Sequence, residues 1–231
     1  FYNEAWERSG DAVYLVQVGE MLLRDGEVLK ALTCWRQALV HQPDLLEAHE
    51  RQLTLILQLA GLYGTPQRWE QLREAAEAML RVESGKTAVQ EAFAHHANGL
   101  ALLNLESRDA ANAELGIREL EEAAATAPEV VEYPIDLAAQ FARYEKFDEA
   151  QRVFRELMDR HAPSDRGGSS ETGANASKAR LAFAQYLTSR QRLDEAAEYF
   201  AQSLKLAEGD AAALREAQMG YAQFLVQRWA K

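Results

Sequence analysis

The stretch LVQVGEMLLRDGEVLKALTCWRQALVHQP, residues 15–43, alternates small and large apolar side chains at helical spacing on both sides of a break at Asp25 and Gly26. Leu15, Val18, Gly19 and Leu22 fall on one face of a first helix, and Ala31, Trp35 and Ala38 on one face of a second. Gly19, Ala31 and Ala38 let the two backbones approach while the larger neighbours fill the space beside them. Gly26 suits the left-handed residue that ends a helix, and Pro43 closes the unit. A single hairpin of this kind cannot bury its own apolar faces, so it requires copies.

The copies are present. Ala150, Phe154 and Leu157 repeat the spacing of Ala31, Trp35 and Ala38, as do Ala196, Phe200 and Ser203. Gly116, in the role of Ala31, precedes Ala150 by 34 residues; Ala150 precedes Ala196 by 46, of which twelve are the stretch PSDRGGSSETGA beginning at Pro163. Without that insertion the period is again 34. This period, with its small-large signature and closing proline, resembles the tetratricopeptide repeat (TPR) family along nearly the whole chain. The resemblance implies an all-α fold, a right-handed α-α superhelix (solenoid) of about five helical hairpins plus a C-terminal capping helix.

The repeats read as residues 11–43, 44–84, 87–128, 129–163 and 177–209 of one domain spanning 1–231, with a terminal helix at 210–231 and a mobile insertion at 163–176. Eleven helices are expected, with hairpin partners starting near Asp11 and Glu27, Asp44 and Pro66, Thr87 and Arg108, Val130 and Phe147, and Ser177 and Leu193. The second hairpin departs most from the pattern: His49, Gln52 and Leu53 stand in for Leu15, Val18 and Gly19, its register is ambiguous by one residue, and GLYGT reads as a longer loop. The last helix echoes an earlier one, GYAQFLVQR against AFAQYLTSR. It is either a cap or the start of a further repeat; Arg215, Glu216, Gln223 and Gln227 favour a polar outer face for it, as a cap needs.

Composition fits a folded array and narrows the function. The chain has 231 residues, 48% hydrophobic and 26% charged, enough for a sizeable core. Its net charge of −11 argues against a nucleic-acid surface, which needs clustered Lys and Arg, and so against the RNA-reading pentatricopeptide arrays of similar period. The longest apolar run, LTLILQLAGLYG from Leu53, is too short to span a bilayer, and no secretory leader is present. The chain opens on Phe1 rather than Met and reads as a piece of a longer protein; its compartment is left open, with the cytoplasm favoured. Cys34, the single cysteine, excludes an internal disulfide and a thiolate metal cluster and reads as a small, partly buried residue beside Trp35.

Reactive chemistry finds little support. SGKT at residues 84–87 looks like the tail of a phosphate-binding loop, but Leu80 stands where that loop needs glycine. No two of His41, His49, His95, His96 and His161 lie four apart on one helix, and the paired carboxylates Glu121–Glu122 and Asp194–Glu195 sit on solvated faces. No catalytic residue, metal site or cofactor is expected.

What the resemblance implies is a binding face. The first helix of each pair would line a concave groove that holds a peptide or helical segment of a partner protein. Carried over by position, that face comprises Val13, Val16, Glu20, Leu23 and Arg24; Phe93, His96, Leu100, Leu103 and Asn104; Ile135 and Arg143; and Lys178, Leu181 and Gln185. Specialised relatives grip a C-terminal carboxylate with Lys, Asn and Arg, whereas Val16 and Glu20 occupy the first such places here. A mixed, apolar lining suits an amphipathic or extended apolar segment instead. The expected function is a non-catalytic protein-protein interaction scaffold; the alternatives are a helical adaptor of a larger enzyme or membrane-associated assembly, or a self-associating module that forms a homo-oligomer.

Overall fold

A computed structural model describes residues 10–105, 110–162 and 170–229, and the described residues form eleven α-helices and no strand. They fall into two compact units, residues 1–127 and 128–231. The first holds α1 (Val13–Arg24), α2 (Val28–His41), α3 (Leu46–Tyr63), α4 (Pro66–Leu80), α5 (Ala88–Asn104) and α6 (Ala110–Thr126). The second holds α7 (Glu132–Arg143), α8 (Phe147–Arg160), α9 (Ser170–Ser189), α10 (Leu193–Leu206) and α11 (Ala211–Trp229). Consecutive helices pair as antiparallel hairpins, and within each unit the first helices of successive hairpins lie side by side.

The interlock expected of residues 15–43 is present. Trp35 is buried against α1, and a Cβ added to Gly19 would collide with its indole, 2.7 Å from Cδ1. The indole Nε1–H donates to the Val16 carbonyl at 3.2 Å, so the one polar atom of this core residue is satisfied. The same helix-two position is filled by Met79, Leu120, Phe154 and Phe200, each buried, with Ala75, Gly116, Ala150 and Ala196 one turn before. In the second hairpin His49 and Leu53, which stand in for Leu15 and Gly19, are both buried, and Gln52 is half-buried. His49 Nε2–H donates to the Pro43 carbonyl at 2.8 Å, and burial pulls its pKa down.

Turn chemistry repeats as well. Gly26, Glu145 and Gln191 all have positive φ, at 80°, 61° and 62°. Around each, two backbone bonds close the preceding helix: Glu27 N–H to Leu22 O and Gly26 N–H to Leu23 O, then the same pair at Lys146/Phe141 and Glu145/Ala142, and at Arg192/Leu187 and Gln191/Thr188. This double closure satisfies carbonyls that the helix end leaves orphaned. Of these three turns, the first alone uses glycine for it.

Two expectations are corrected. α3 continues to Tyr63, so the second hairpin turns through Gly64 and Thr65 alone, with Gly64 at φ 59° as the helix stop. The loop expected at 163–176 is helical from Ser170 onward; Gly173 lies so near Leu206 that a Cβ there would stand 2.9 Å from its carbonyl oxygen, and Ala176 is buried. Low apolar content misled because these small residues serve close helix packing; residues 163–169 lie outside the described ones. The SGKT tetrapeptide is a helix junction: Lys86 Nζ donates to the carbonyls of Leu80 at 2.8 Å and of Val82, capping α4, while Thr87 and Gln90 form a reciprocal capping box that starts α5.

Candidate functional site

The first helices of the hairpins make a continuous face within each unit, α1, α3 and α5 in one and α7, α9 and α11 in the other. Polar side chains tie neighbours together across it. Arg51 Nε pairs with Glu20 Oε1 at 2.8 Å, Gln90 Nε2 donates to Glu50 Oε2 at 3.0 Å, and Lys178 Nζ pairs with Glu132 Oε1 at 2.6 Å. Each exposed pair contributes at most about 1 kcal/mol, so their main effect is to set helix spacing.

The predicted site residues divide on this face. Val16 and Leu103 belong to the core rather than the surface: Val16 lies under the Trp35 indole, and Leu103 fills the space that Gly116 leaves open. His96 is buried too, and Phe93 is half-buried against the core of the first unit. Glu20 is held by Arg51 and Arg24, Lys178 by Glu132, and Asn104 Nδ2 turns back to the Leu100 carbonyl at 2.8 Å. Val13, Leu23, Arg24 and Arg143 are exposed, Leu100 is half-buried, and Ile135 packs half-buried on the Val131–Leu157–Ala179 cluster.

Leu181 and Gln185 share a cavity. A groove of about 460 Å³ runs between α9 and α11, lined by both and by Ala212, Arg215, Glu216, Met219, Gly220 and Gln223. It continues into a second hollow of about 300 Å³ through Gln185, Gly220 and Gln223 toward Thr188 and Gln227. Gly220 sets the depth, since a Cβ there would stand 2.6 Å from Leu181 Cδ1. Leu181 is the buried floor, Gln185 and Gln223 are exposed amide walls, and Met219 is a 65% exposed apolar rim. The α11 contribution is absent from the sequence-based set, which takes groove residues from the first helices of paired hairpins and none from the last helix. The echo of AFAQYLTSR in GYAQFLVQR was the signal that α11 is a first-type helix.

A larger, open groove of about 1050 Å³ lies on the other side of the first unit, between α2 and α4, lined by Arg36, Leu39, Val40, Glu74 and Arg81 among others, with His49 and Gln52 at its base. Cys34 is half-buried, and burial raises its thiol pKa, the opposite of an activated nucleophile. Among the described residues no three His, Cys, Asp or Glu side chains are grouped so as to hold a metal, and no helix is long and apolar enough to cross a membrane. His95 Nδ1–H donates to Glu119 Oε2 at 2.8 Å; that bond lifts the imidazole above its ordinary pKa. Burial opposes the lowering of the Glu119 pKa, which His95 and Asn98 together bring about.

No protein-family profile and no curated protein matches the chain. Solved structures do. The thermophilic TPR protein TTC0263 from Thermus thermophilus aligns over 93% of this chain and 99% of its own with 19% identity and a TM-score of 0.61. The chain has the tetratricopeptide-repeat fold. YrrB, described as a TPR protein with an unusual peptide-binding site, aligns over 94% of this chain and 97% of its own at 16% identity and TM-score 0.53. Residues 41 to the end of MamA from Desulfovibrio magneticus RS-1 align over 68% of this chain and 80% of their own at 23% identity and TM-score 0.53. In TPR terms α1, α3, α5, α7 and α9 are the first helices of five repeats, and α11 takes the place of a sixth.

Proposed function

We propose that the chain is a non-catalytic scaffold that binds a segment of a partner protein along the first-helix face, with the α9–α11 groove as its main seat. The observation that carries this reading is the groove itself: an apolar floor at Leu181, an exposed thioether at Met219 and amide groups at Gln185 and Gln223, between two helices that Gly220 brings close. Such a lining offers burial to one or two apolar side chains and hydrogen bonds to a backbone or polar flank, the division of labour found in peptide grooves. The description of YrrB as carrying a peptide-binding site supports the same use of a shared fold.

Substitution of Phe93 and Leu100 is a poor test, since Phe93 packs on the core. Exposed groove residues serve better. Helical peptides selected from a display library on the wild-type chain should lose at least about tenfold in affinity to Gln185→Trp, which fills the groove, and to Met219→Glu, with helicity unchanged. Selected peptides that bind both variants as tightly as wild type would overturn the assignment, and Glu74→Trp would then test the α2–α4 groove.

A further inference from the structure

Three places correspond from hairpin to hairpin: the residue just before the second-helix anchor, and the residues four and one before the place of Gly19 on the first helix. In the third hairpin these are Glu119, His95 and Asn98, and the carboxylate accepts from His95 Nδ1–H at 2.8 Å and from Asn98. In the fifth they are Tyr199, Arg180 and Phe183; the Tyr199 and Phe183 rings meet edge to face at 4.8 Å, and Arg180 donates to the Ala176 carbonyl at 3.0 Å. The first and fourth hairpins hold apolar sets, Cys34 with Leu15 and Val18, and Val153 with Pro134 and Leu137. In these four hairpins each polar group of the set has a partner or the set has no polar side chain.

The second hairpin breaks the rule. Its set is Ala78, His49 and Gln52, a methyl group against an imidazole and an amide. All three line the α2–α4 groove of about 1050 Å³, which has Leu39, Ala75 and Val82 as apolar walls. The hollow thus opens at the place where Glu119 and Tyr199 project their side chains in other hairpins. Gln52 is half-buried, and its amide has no hydrogen-bond partner among the described residues. His49 gives its Nε2–H to the Pro43 carbonyl, and burial lowers its pKa, so Nδ1 is the acceptor of the ring. A group that completes this set donates to Nδ1 and accepts from the Gln52 amide. A hydroxyl does both, whereas an ionised carboxylate only accepts.

The rim adds a second constraint. Arg36 of α2 and Glu74 of α4 line the same groove, are exposed, and form no ion pair among the described residues. One wall therefore offers a positive charge and the other a negative one, which complements a head group carrying both signs. We propose that the α2–α4 groove is a small-molecule site for a free hydroxylated aromatic amino acid. Its ring lies on Ala75 and Ala78, its phenolic hydroxyl bonds to His49 Nδ1 and the Gln52 amide, and its carboxylate and ammonium groups face Arg36 and Glu74. A tyrosine inside a protein chain lacks both head-group charges, so the free amino acid is the occupant. This site is separate from the first-helix face at α9–α11 and belongs to the other unit.

Calorimetric titration of the full chain with L-tyrosine, L-phenylalanine and N-acetyl-L-tyrosinamide separates these features. L-tyrosine should bind saturably, and at least about tenfold more tightly than L-phenylalanine, which lacks only the hydroxyl that the groove is built to bond. It should exceed N-acetyl-L-tyrosinamide, which lacks both charges, by a similar factor. Gln52→Leu should weaken L-tyrosine at least about fivefold and leave L-phenylalanine unchanged. Ala78→Tyr supplies the chain's own phenol, as Tyr199 does in the fifth hairpin, and should abolish binding while raising the melting temperature. Gln185→Trp should leave L-tyrosine binding unchanged. Absence of saturable L-tyrosine binding to the wild type, equal affinity for tyrosine and phenylalanine, or wild-type affinity in both Gln52→Leu and Ala78→Tyr would overturn the inference. So would N-acetyl-L-tyrosinamide binding as tightly as L-tyrosine, which would make the occupant a protein side chain.

Discussion

Glycines make close helix crossings in both units, Gly19, Gly99 and Gly116 in residues 1–127 and Gly173 and Gly220 in residues 128–231, but in the second unit chains of aromatic rings also join the helices. Gly99 and Gly116 face each other in the first unit, where a Cβ on Gly99 would stand 2.8 Å from the Gly116 carbonyl oxygen, and Gly19 admits a Trp35 whose indole bonds to a backbone carbonyl. The second unit runs Phe154, Phe183, Tyr186 and Tyr199, then Phe200, Tyr221 and Phe224, with centroid separations from 4.8 to 6.1 Å. One repeat geometry thus admits two packings. Backbone contact is short-range and unforgiving, while rings with neighbours on several sides can shift and refill a gap.

The largest expected effect comes from removing the two anchors that define this contrast. Trp35→Ala and Phe200→Ala should each cost about 3–5 kcal/mol in urea unfolding, with Trp35 at the upper end because its loss also removes the hydrogen bond to the Val16 carbonyl. A Trp35→Ala cost below that of Phe200→Ala would break the comparison. Next, Gly99→Ala should cost about 1–3 kcal/mol because the obstacle is backbone. Gly220→Ala meets only the far end of Leu181, and the propensity gain of about 1 kcal/mol for alanine should leave it near neutral.

Smaller still, Glu145→Gly and Gln191→Gly relieve a left-handed residue in the turns of the second unit and should stabilise by roughly 0.5–1 kcal/mol each, read from thermal melts. Gly26→Ala in the first unit should move the other way by a similar amount. The smallest effect is a pH dependence of the first unit. His95 has its pKa raised in the fold, so its contribution is present below its unfolded value near 6.5 and is lost as pH rises through the folded value. Glu119 has its pKa lowered, so its contribution is present above about 4.5 and fades as pH falls through the folded value. His49 and His161, both lowered by burial, act oppositely to His95. The clean observable is therefore a difference: from pH 6 to 8, His95→Gln should remove a loss of melting temperature that the wild type shows.

Most of the fold was legible because the repeat signature is local. Ala31 with Trp35, Ala150 with Phe154 and Ala196 with Phe200 announce buried anchors by spacing alone, and all six are buried. The misread segments were those where composition and packing part ways: Ser170 to Ala176 has the residues of a loop and the small volumes of a tight helix crossing. The site was less legible. Helical phase places Val16 and Leu103 near the first-helix face, but a shift of one position turns a groove residue into core, and only the positions of Trp35 and Gly116 decide it. Gln185 was within reach because α9 is regular; its partners on α11 depend on a contact between helices that no single-helix pattern encodes.

The central claim is that the first-helix face at α9–α11 holds the partner, and site-specific photocross-linking tests it most directly. With benzoylphenylalanine placed at Gln185 or at Glu74 and irradiation in native extract, a defined adduct should form from Gln185 and not from Glu74. An adduct from Glu74 alone would contradict the account and place docking in the α2–α4 groove.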